Sequence, residues 1–354
     1  MSDLPIAIPK GSKILITGIA GFLAGHIAKQ LLDRGFKVRG TVRDTSAAKW
    51  VTDEMFAEAT QRGDLELAAL DFTTASDSDY EAAVKGVDGV MHVATIQTFD
   101  PNPDNVIPPV VGSVTALLKA ASREPTIKRF VYTSSSVASF MPNPFTDEAS
   151  FVGRDSWNEF ALAAVQAPQL DNPMFGGIVY MASKAAAEKA FWKFAAEEKP
   201  HFVVNAVSPY TLIGPILHKS FVNKNLPGWV NWLYQGDTSY IGTIPGLYYV
   251  NVKDVALVEI AALIDPDVKD ARIQAWCTPF NWNTLLAMWR KKYPERKFIE
   301  DLPNMGMIKT KIDDTLPKQL LKKWGGQDGW IPMEEGFQEC LDSVLAELDN
   351  PSHN

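Results

Sequence analysis

Ile14-Leu15-Ile16-Thr17-Gly18-Ile19-Ala20-Gly21-Phe22-Leu23-Ala24 runs from an apolar strand through a glycine turn into a helix. Gly18 suits the tight turn out of the strand. Gly21 lets backbone N–H groups approach a pyrophosphate at the helix N-terminus, where the helix dipole favours negative charge. Ala24 takes the third small position, where helix meets strand. Outward from this turn, the helix is apolar at Phe22, Leu23, Ile27, Leu31 and Leu32, and it stops at Arg34-Gly35, a basic last turn followed by a C-terminal glycine. Phe36 to Val42 resumes as strand. A glycine turn alone also marks ordinary turns, but strand, helix and strand within one βαβ length predict a dinucleotide-binding half-unit.

The residues after the second strand select the dinucleotide. An acid there hydrogen-bonds the ribose hydroxyls of NAD, whereas a guanidinium matches a 2′-phosphate. Arg43 and Asp44 stand side by side at this point, and Lys49 offers a second positive charge. Arg43 and Lys49 point to NADP(H). Against that stand Asp44, an acid in the NAD position, and the plain reading of both cations as solvated surface residues.

Strand and helix patterns keep alternating. Leu65 to Leu70, Val87 to Ala94 and Arg129 to Thr133 read as strands, with helices at Asp79 to Lys85 and from about Val110 to Ser122. Repeated β-α units predict a parallel, doubly wound sheet, whose ligands bind beyond the carboxyl ends of the strands. Asp71-Phe72, Ala94-Thr95 and Thr133-Ser134-Ser135-Ser136 follow strands and become candidates for one crevice. Asp71 is either an acceptor for an adenine amino group or a turn former, and serine runs also make turns.

The chemical core is Tyr180-Met181-Ala182-Ser183-Lys184, followed by the Ala-rich stretch Ala185 to Ala190, which favours helix. Spacing of i,i+4 puts Tyr180 and Lys184 on one helix face. A free phenol titrates near pH ~10, so acid/base work near neutrality gains from an adjacent ammonium. Tyr249 with Lys253 and Tyr293 with Lys297 share the spacing but not the setting: the first lies in a strand-like alternation, the second beside the solvated run Arg290-Lys291-Lys292.

The chain's 354 residues suggest about two structural regions, and its 46% hydrophobic content can fill a sizeable core. A formal charge of −8 without a long basic block argues against nucleic acid or an anionic membrane as partner. Cys277 and Cys340 form no CxxC pair, and the five histidines show no metal-ligand spacing; no metal is expected. Met1 to Lys10 lacks the character of a secretory signal and no apolar run reaches spanning length, so the expected location is cytoplasmic. Asn350 to Asn354 reads as a frayed tail.

Thr17-Gly-Ile-Ala-Gly-Phe22, Thr133-Ser-Ser135 and Tyr180-xxx-Lys184, in that order, resemble extended short-chain dehydrogenases/reductases over most of the chain. Val38 to Arg43, Val93-Ala94-Thr95 and Pro209 to Pro215 resemble the dihydroflavonol reductase and cinnamoyl-CoA reductase branch and, most nearly, the fungal NADPH-dependent aldehyde/carbonyl reductases. The resemblance implies a Rossmann-type α/β fold with a smaller, interleaved C-terminal substrate-binding lobe. Residues 1–214, rejoined by 251–268, would form the cofactor domain, and 215–250 with 269–354 the lobe. It implies Ser135, Tyr180 and Lys184 as catalytic residues, although Ser134 and Ser136 stand either side of Ser135; strand alternation turns those two to the opposite face. By the same resemblance Gly18, Ala20, Gly21, Phe22 and Leu23 contact the pyrophosphate, Arg43 and Lys49 the 2′-phosphate, and Asp71 and Phe72 the adenine side. Ala94, Pro209 and Leu212 border the nicotinamide, and Thr95, Thr133, Tyr180 and Lys184 are further cofactor contacts.

The reaction implied is hydride transfer to an aldehyde or ketone, with Tyr180 giving its proton to the carbonyl oxygen. Some forty residues, rich in proline and aromatics, separate the serine strand from Tyr180, and an insertion of that size tends to be functional. Ile96, Phe99, Trp229 and Leu247 are the candidate pocket, each also readable as plain packing. An aromatic-lined pocket favours bulky apolar carbonyl compounds, including aromatic ketones and ketoesters. The expected partner is a small carbonyl substrate, and the chain is expected to be a monomer or homodimer. The alternatives are a nucleotide-sugar epimerase or dehydratase, disfavoured by Arg43, and a noncatalytic NADPH-binding regulator, disfavoured by the Tyr-Lys pair.

Overall fold

The computed structural model describes residues 4–172 and 174–349; the tail from Asn350 lies outside them. In chain order the first elements are β1 (Lys13–Ile16), α1 (Phe22–Asp33), β2 (Lys37–Val42), α2 (Ala57–Gln61), β3 (Leu65–Ala69), α3 (Asp77–Val84), β4 (Gly89–His92), α4 (Pro103–Arg123) and β5 (Arg129–Thr133). Then come β6 (Phe151–Val152), α5 (Glu159–Ala164), α6 (Phe175–Glu198), β7 (Val203–Pro209), β8 (Thr211–Ile213), α7 (Asn225–Gln235) and β9 (Leu247–Asn251). The last are α8 (Val252–Ile264), β10 (Arg272–Ala275), β11 (Thr278–Phe280), α9 (Trp282–Lys292), β12 (Lys311–Ile312), α10 (Thr315–Gly325) and α11 (Met333–Leu348).

A seven-stranded sheet in the order β10-β7-β5-β4-β1-β2-β3 forms the centre of the fold. Its paired neighbours from β3 through β7 are parallel. Strand order reverses at β1, with β2 on one side and β4 on the other, which is where a doubly wound sheet opens a ligand crevice. Strands β1, β4 and β5 are apolar and buried on both faces, as a sheet covered by helices on both sides requires. One large core cluster joins Leu15, Val90, Phe130 and Tyr132 of these strands to Val114 and Leu117 of α4 and Val179, Ala187 and Phe191 of α6.

The chain divides into two compact units: residues 1–141, 154–208 and 256–273, and residues 142–153, 209–255 and 274–354. The first contains most of the large sheet. The expected break at 214 falls at 208, and the return segment runs on to 273 because β10 adds an edge strand beside β7, where Ala206 N–H donates to the carbonyl of Ala271. Residues 142–153 join the second unit because β6 pairs with β12. The second unit has its own core, in which Tyr249, Phe280, Trp282, Trp289 and Phe337 pack together, and a three-stranded sheet β11-β9-β8. Among the described residues no helix is long and apolar enough to cross a membrane.

Helix α4 begins seven residues before the expected Val110, at Pro103. Asn102 caps it by accepting from Asp104 N–H at 3.1 Å, and Pro103 takes the first helical position, where its missing N–H is harmless. Pro108 and Pro109 lie inside the helix, one turn after the exposed residues Asp104 and Asn105. The carbonyls they leave without a helical donor are therefore within reach of water.

Candidate active site

The glycine turn is shaped by contacts on its own unit. Gly18 has φ +67°, and a Cβ there would sit 2.8 Å from Cβ of Ala94, so both the backbone and the space demand glycine. Gly21 precedes α1 in extended conformation, with no side-chain cap and no acidic residue in the first turn. The first N–H groups of α1 thus lack a side-chain acceptor, the arrangement that suits an anion. Thr17 ties the turn to the end of β4. Its hydroxyl accepts from Val93 and Ala94 N–H at 3.0 Å each and meets Nδ1 of His92 at 3.0 Å. With both acceptor positions used, its proton goes to Nδ1, which makes His92 the Nε2–H tautomer. Burial, then the nearby Lys184 charge, pushes the imidazole down to about 3.

Beyond the strand ends lies a cleft of about 930 Å³, lined by Gly18, Ala20, Gly21, Arg43, Asp71, Phe72, Ala94, Thr95 and Ile96 among others. These nine are all residues the sequence marks as cofactor contacts or, for Ile96, pocket wall. Lys49 is not in the wall. It is exposed, and Ala47, Ala48 and Trp50 line the cleft instead, because the turn that follows Asp44 carries Lys49 to the outer side. Asp44 forms that turn: its Oδ1 accepts from Ser46 N–H and Oγ at 2.8 and 2.6 Å and from Ala47 N–H at 3.3 Å, and these bonds hold its carboxyl below the usual range. Asp71 is likewise a turn former, accepting from Thr73 N–H and Oγ1, while Phe72 stacks on Tyr80 with ring centroids 6.1 Å apart. Phe22 and Leu23 are buried in the first turn of α1.

The sequence residues fit a dinucleotide phosphate on four counts. The α1 terminus is uncapped, Gly18 leaves the turn bare of side chains, Arg43 is exposed at the cleft, and the buried Thr95 hydroxyl has no protein partner among the described residues. Gly18, Gly21 and the α1 N–H groups would hold the pyrophosphate, Arg43 the 2′-phosphate, and Thr95 a polar group of the nicotinamide half.

Tyr180 and Lys184 stand one turn apart on α6. Tyr180 is half-buried, and burial raises its phenol while a hydrogen bond with Ser135 pulls it back. Ser135 is the half-exposed serine, whereas Ser134 and Ser136 are buried; β5 itself ends at Thr133, so strand alternation does not extend over the three. Ser134 donates to Oε2 of Glu188 at 2.7 Å. Lys184 is 2% exposed, and its ammonium donates to the Thr133 carbonyl at 3.0 Å and the Tyr132 phenol oxygen at 3.4 Å. Burial pushes it down to about 8, against the pull of Glu188 and Glu259.

Three further residues hold this group. Glu188, one turn beyond Lys184, is fully buried and accepts at Oε1 from Arg272 Nε at 2.7 Å and Trp192 Nε1 at 3.2 Å. Arg272 in turn donates to the Arg154 and Ser156 carbonyls and to the Ser139 hydroxyl, and its guanidinium lies 3.9 Å from the Trp157 ring centre. Glu188 thereby fastens the Tyr180 helix to Ser134, the neighbour of Ser135. Glu259 on α8 accepts from the Thr133 hydroxyl at 2.7 Å. The sequence reading missed all three; for Glu188 the signal was its i,i+4 spacing from Lys184.

Phe99 has φ +52° and lies with its ring centroid 5.4 Å from that of Tyr180. Its carbonyl packs onto Gly176, where a Cβ would come within 2.0 Å of the oxygen. Trp229 packs on Tyr240 and Trp282, and Leu247 lies against the core of the second unit. Pro209 and Leu212, at the end of β7 and in β8, also belong to that unit. Tyr249, of the first rival pair, is buried and its hydroxyl donates to the Ile331 and Pro332 carbonyls; the Tyr293 hydroxyl accepts from Gln338 at 2.8 Å.

Residues 14–157 match the model of the NAD dependent epimerase/dehydratase family. Aldehyde reductase 2 of Sporidiobolus salmonicolor is 35% identical over 340 residues, 96% of this chain and 98% of that protein. The chain belongs to the extended short-chain dehydrogenase/reductase family. The NAD-dependent epimerase/dehydratase terH of Aspergillus terreus is 37% identical over 341 residues, covering 95% of this chain and 98% of terH. Among solved structures, Gre2 of Candida albicans in its NADPH complex superposes with a TM-score of 0.79 at 22% identity, over 96% of this chain and 99% of that one. That likeness is one of fold.

Proposed function

We propose that this protein is an NADP(H)-dependent reductase of aldehydes and ketones. The observation that carries the reading is Tyr180 with the buried Lys184 ammonium one turn away on the same helix, Ser135 acting on the Tyr180 phenol, and an exposed Arg43 at the cleft of the same unit. The 35% identical relative bears the name aldehyde reductase, and the fold neighbour was solved with NADPH. Both agree with this choice.

NADPH, when bound, supplies the hydride. The protein's share is orientation and electrostatics. Ser135 donates to the carbonyl oxygen as negative charge develops on it, and Tyr180 delivers the proton. Lys184 lowers the cost of the phenolate that results. Phe99, beside Tyr180, gives an apolar surface for a bulky substituent, and aromatic ketones and ketoesters are the classes it suits. The epimerase or dehydratase reading, which the name of the 37% identical relative raises, calls for an acid on the ribose; Asp44 has its Oδ1 committed to its own turn.

The test follows NADPH oxidation by absorbance against aromatic ketones, ketoesters and aldehydes, with NADH in parallel and Tyr180→Phe as control. Turnover that prefers NADPH and falls about 10²–10⁴-fold in the variant is expected. Tight NADPH binding without turnover on any class, or undiminished turnover in Tyr180→Phe, overturns the reading.

A further inference from the structure

Four charged side chains are buried around the Tyr180 helix: Lys184, Glu188, Glu259 and Arg272. Two of them satisfy each other. Arg272 and Glu188 form an ion pair at 2.7 Å, with side chains 2% and 0% exposed, and the remaining Glu188 lone pairs are taken by Ser134 and Trp192. That leaves Lys184 and Glu259. They meet on one residue, Thr133, whose carbonyl accepts from the Lys184 ammonium at 3.0 Å and whose hydroxyl donates to Glu259 Oε1 at 2.7 Å. The other Glu259 oxygen is buried and has no hydrogen-bond partner among the described residues. A carboxyl buried in this way needs a nearby positive charge to offset its desolvation, and the counter-charge acting on it is that of Lys184.

We propose that Glu259 is a positioning residue for Lys184, the buried counter-charge that holds the ammonium beside Tyr180, with Thr133 as the bridge. The inference rests on the roles given above to Tyr180 and Lys184. Glu259 touches neither substrate nor cofactor in this scheme and acts through the lysine.

The groups facing Lys184 are the Tyr132 and Tyr180 phenols, neutral His92, and the carboxyls of Glu188 and Glu259. Burial lowers Lys184 and raises Glu259, and each is held back by the other's charge. Removing the Glu259 charge takes away one of the two carboxyls that keep the lysine protonated. Lys184 then loses its proton at lower pH, and the ammonium that supports Tyr180 disappears earlier in an alkaline titration. The alkaline limb of kcat/KM must therefore move toward acid, by about one pH unit for one nearby opposite charge.

The experiment is the pH profile of kcat/KM for NADPH-dependent carbonyl reduction in wild type, Glu259→Gln and Glu259→Asp, with NADPH binding followed by fluorescence. E259Q is expected to shift the alkaline limb by about one unit with NADPH affinity kept, and E259D to return it most of the way. A limb in E259Q that superimposes on wild type, or a uniform loss at every pH in both variants, overturns the proposal. Should E259Q fail to fold, Thr133→Val removes the bond that favours the carboxylate and moves the limb the same way by less; an unmoved limb there also overturns it. Failure of the underlying reading shows separately, as undiminished turnover in Tyr180→Phe.

Discussion

Gly176 and Gly177 stand side by side in the first turn of α6, yet a methyl group added to each has opposite consequences. At Gly177 nothing lies within 4 Å of the new Cβ. Replacing glycine by alanine in a helix is ordinarily worth about 0.5–1 kcal/mol, so Gly177→Ala should stabilise the protein, raising Tm by about 1 °C for a chain of this length. At Gly176 the same Cβ lands 2.0 Å from the Phe99 carbonyl oxygen and 2.7 Å from its carbon. The obstacle is backbone and cannot rotate away, and Phe99 already holds a left-handed φ of +52° that bulky residues rarely adopt. The chain carrying Phe99 must retreat by about 1 Å, and overpacking of that order costs ~1–3 kcal/mol, more than the helix gains. Gly176→Ala should therefore lower Tm by about 1–3 °C and, by moving the Phe99 ring off Tyr180, reduce kcat/KM for bulky carbonyl substrates while NADPH binding is kept. Thermal melts and steady-state kinetics on the two variants decide it. Equal stabilisation by both, with unchanged kinetics, refutes the reasoning.

Arg43→Leu should remove a charge-assisted bond to the 2′-phosphate worth about 1.5–3 kcal/mol, lowering kcat/KM with NADPH by about 10- to 100-fold and leaving NADH nearly untouched; the ratio of the two cofactors' kcat/KM measures it. Asp254 is 1% exposed, accepts from Ile331 N–H and Gln327 Nε2 at 2.7 Å each, and burial raises its carboxyl to about 6. Between its ordinary value of 3.8 and 6 the folded state binds more protons than the unfolded state. Its contribution thus falls as pH rises through that window, by up to ~3 kcal/mol. Asp254→Asn lacks this slope, so its stability relative to wild type should improve between pH 4 and 7 in paired denaturation curves; a constant difference would exclude the effect.

The glycine turn, the strands β1 to β5 and the Tyr180–Lys184 face were legible because each rests on local pattern: apolar runs, a glycine turn and i,i+4 spacing. What escaped depends on distant partners. Arg272-Ile273-Gln274-Ala275 is too short and mixed to announce itself as a strand and becomes one only by pairing beside β7. Nothing local marks Glu188 and Glu259 for burial, which is fixed by Arg272, Ser134 and Thr133, all more than fifty residues away in sequence. Lys49 was expected at the cleft for its charge, but after the turn that Asp44 builds it is Ala47, Ala48 and Trp50 that line it. Pro108 and Pro109 hid the first turns of α4, which Asn102 and Pro103 nevertheless start.

Thr17 spends its whole hydrogen-bonding capacity on the protein, two acceptor positions on the end of β4 and its proton on His92. The glycine turn and the strand behind it are consequently locked together before any nucleotide arrives. Little backbone ordering is left to be done on association, so the free energy of phosphate contacts passes into affinity with small loss. The histidine in the lock is neutral at any physiological pH, which makes the seat of the dinucleotide indifferent to acidity while the chemistry beside it titrates.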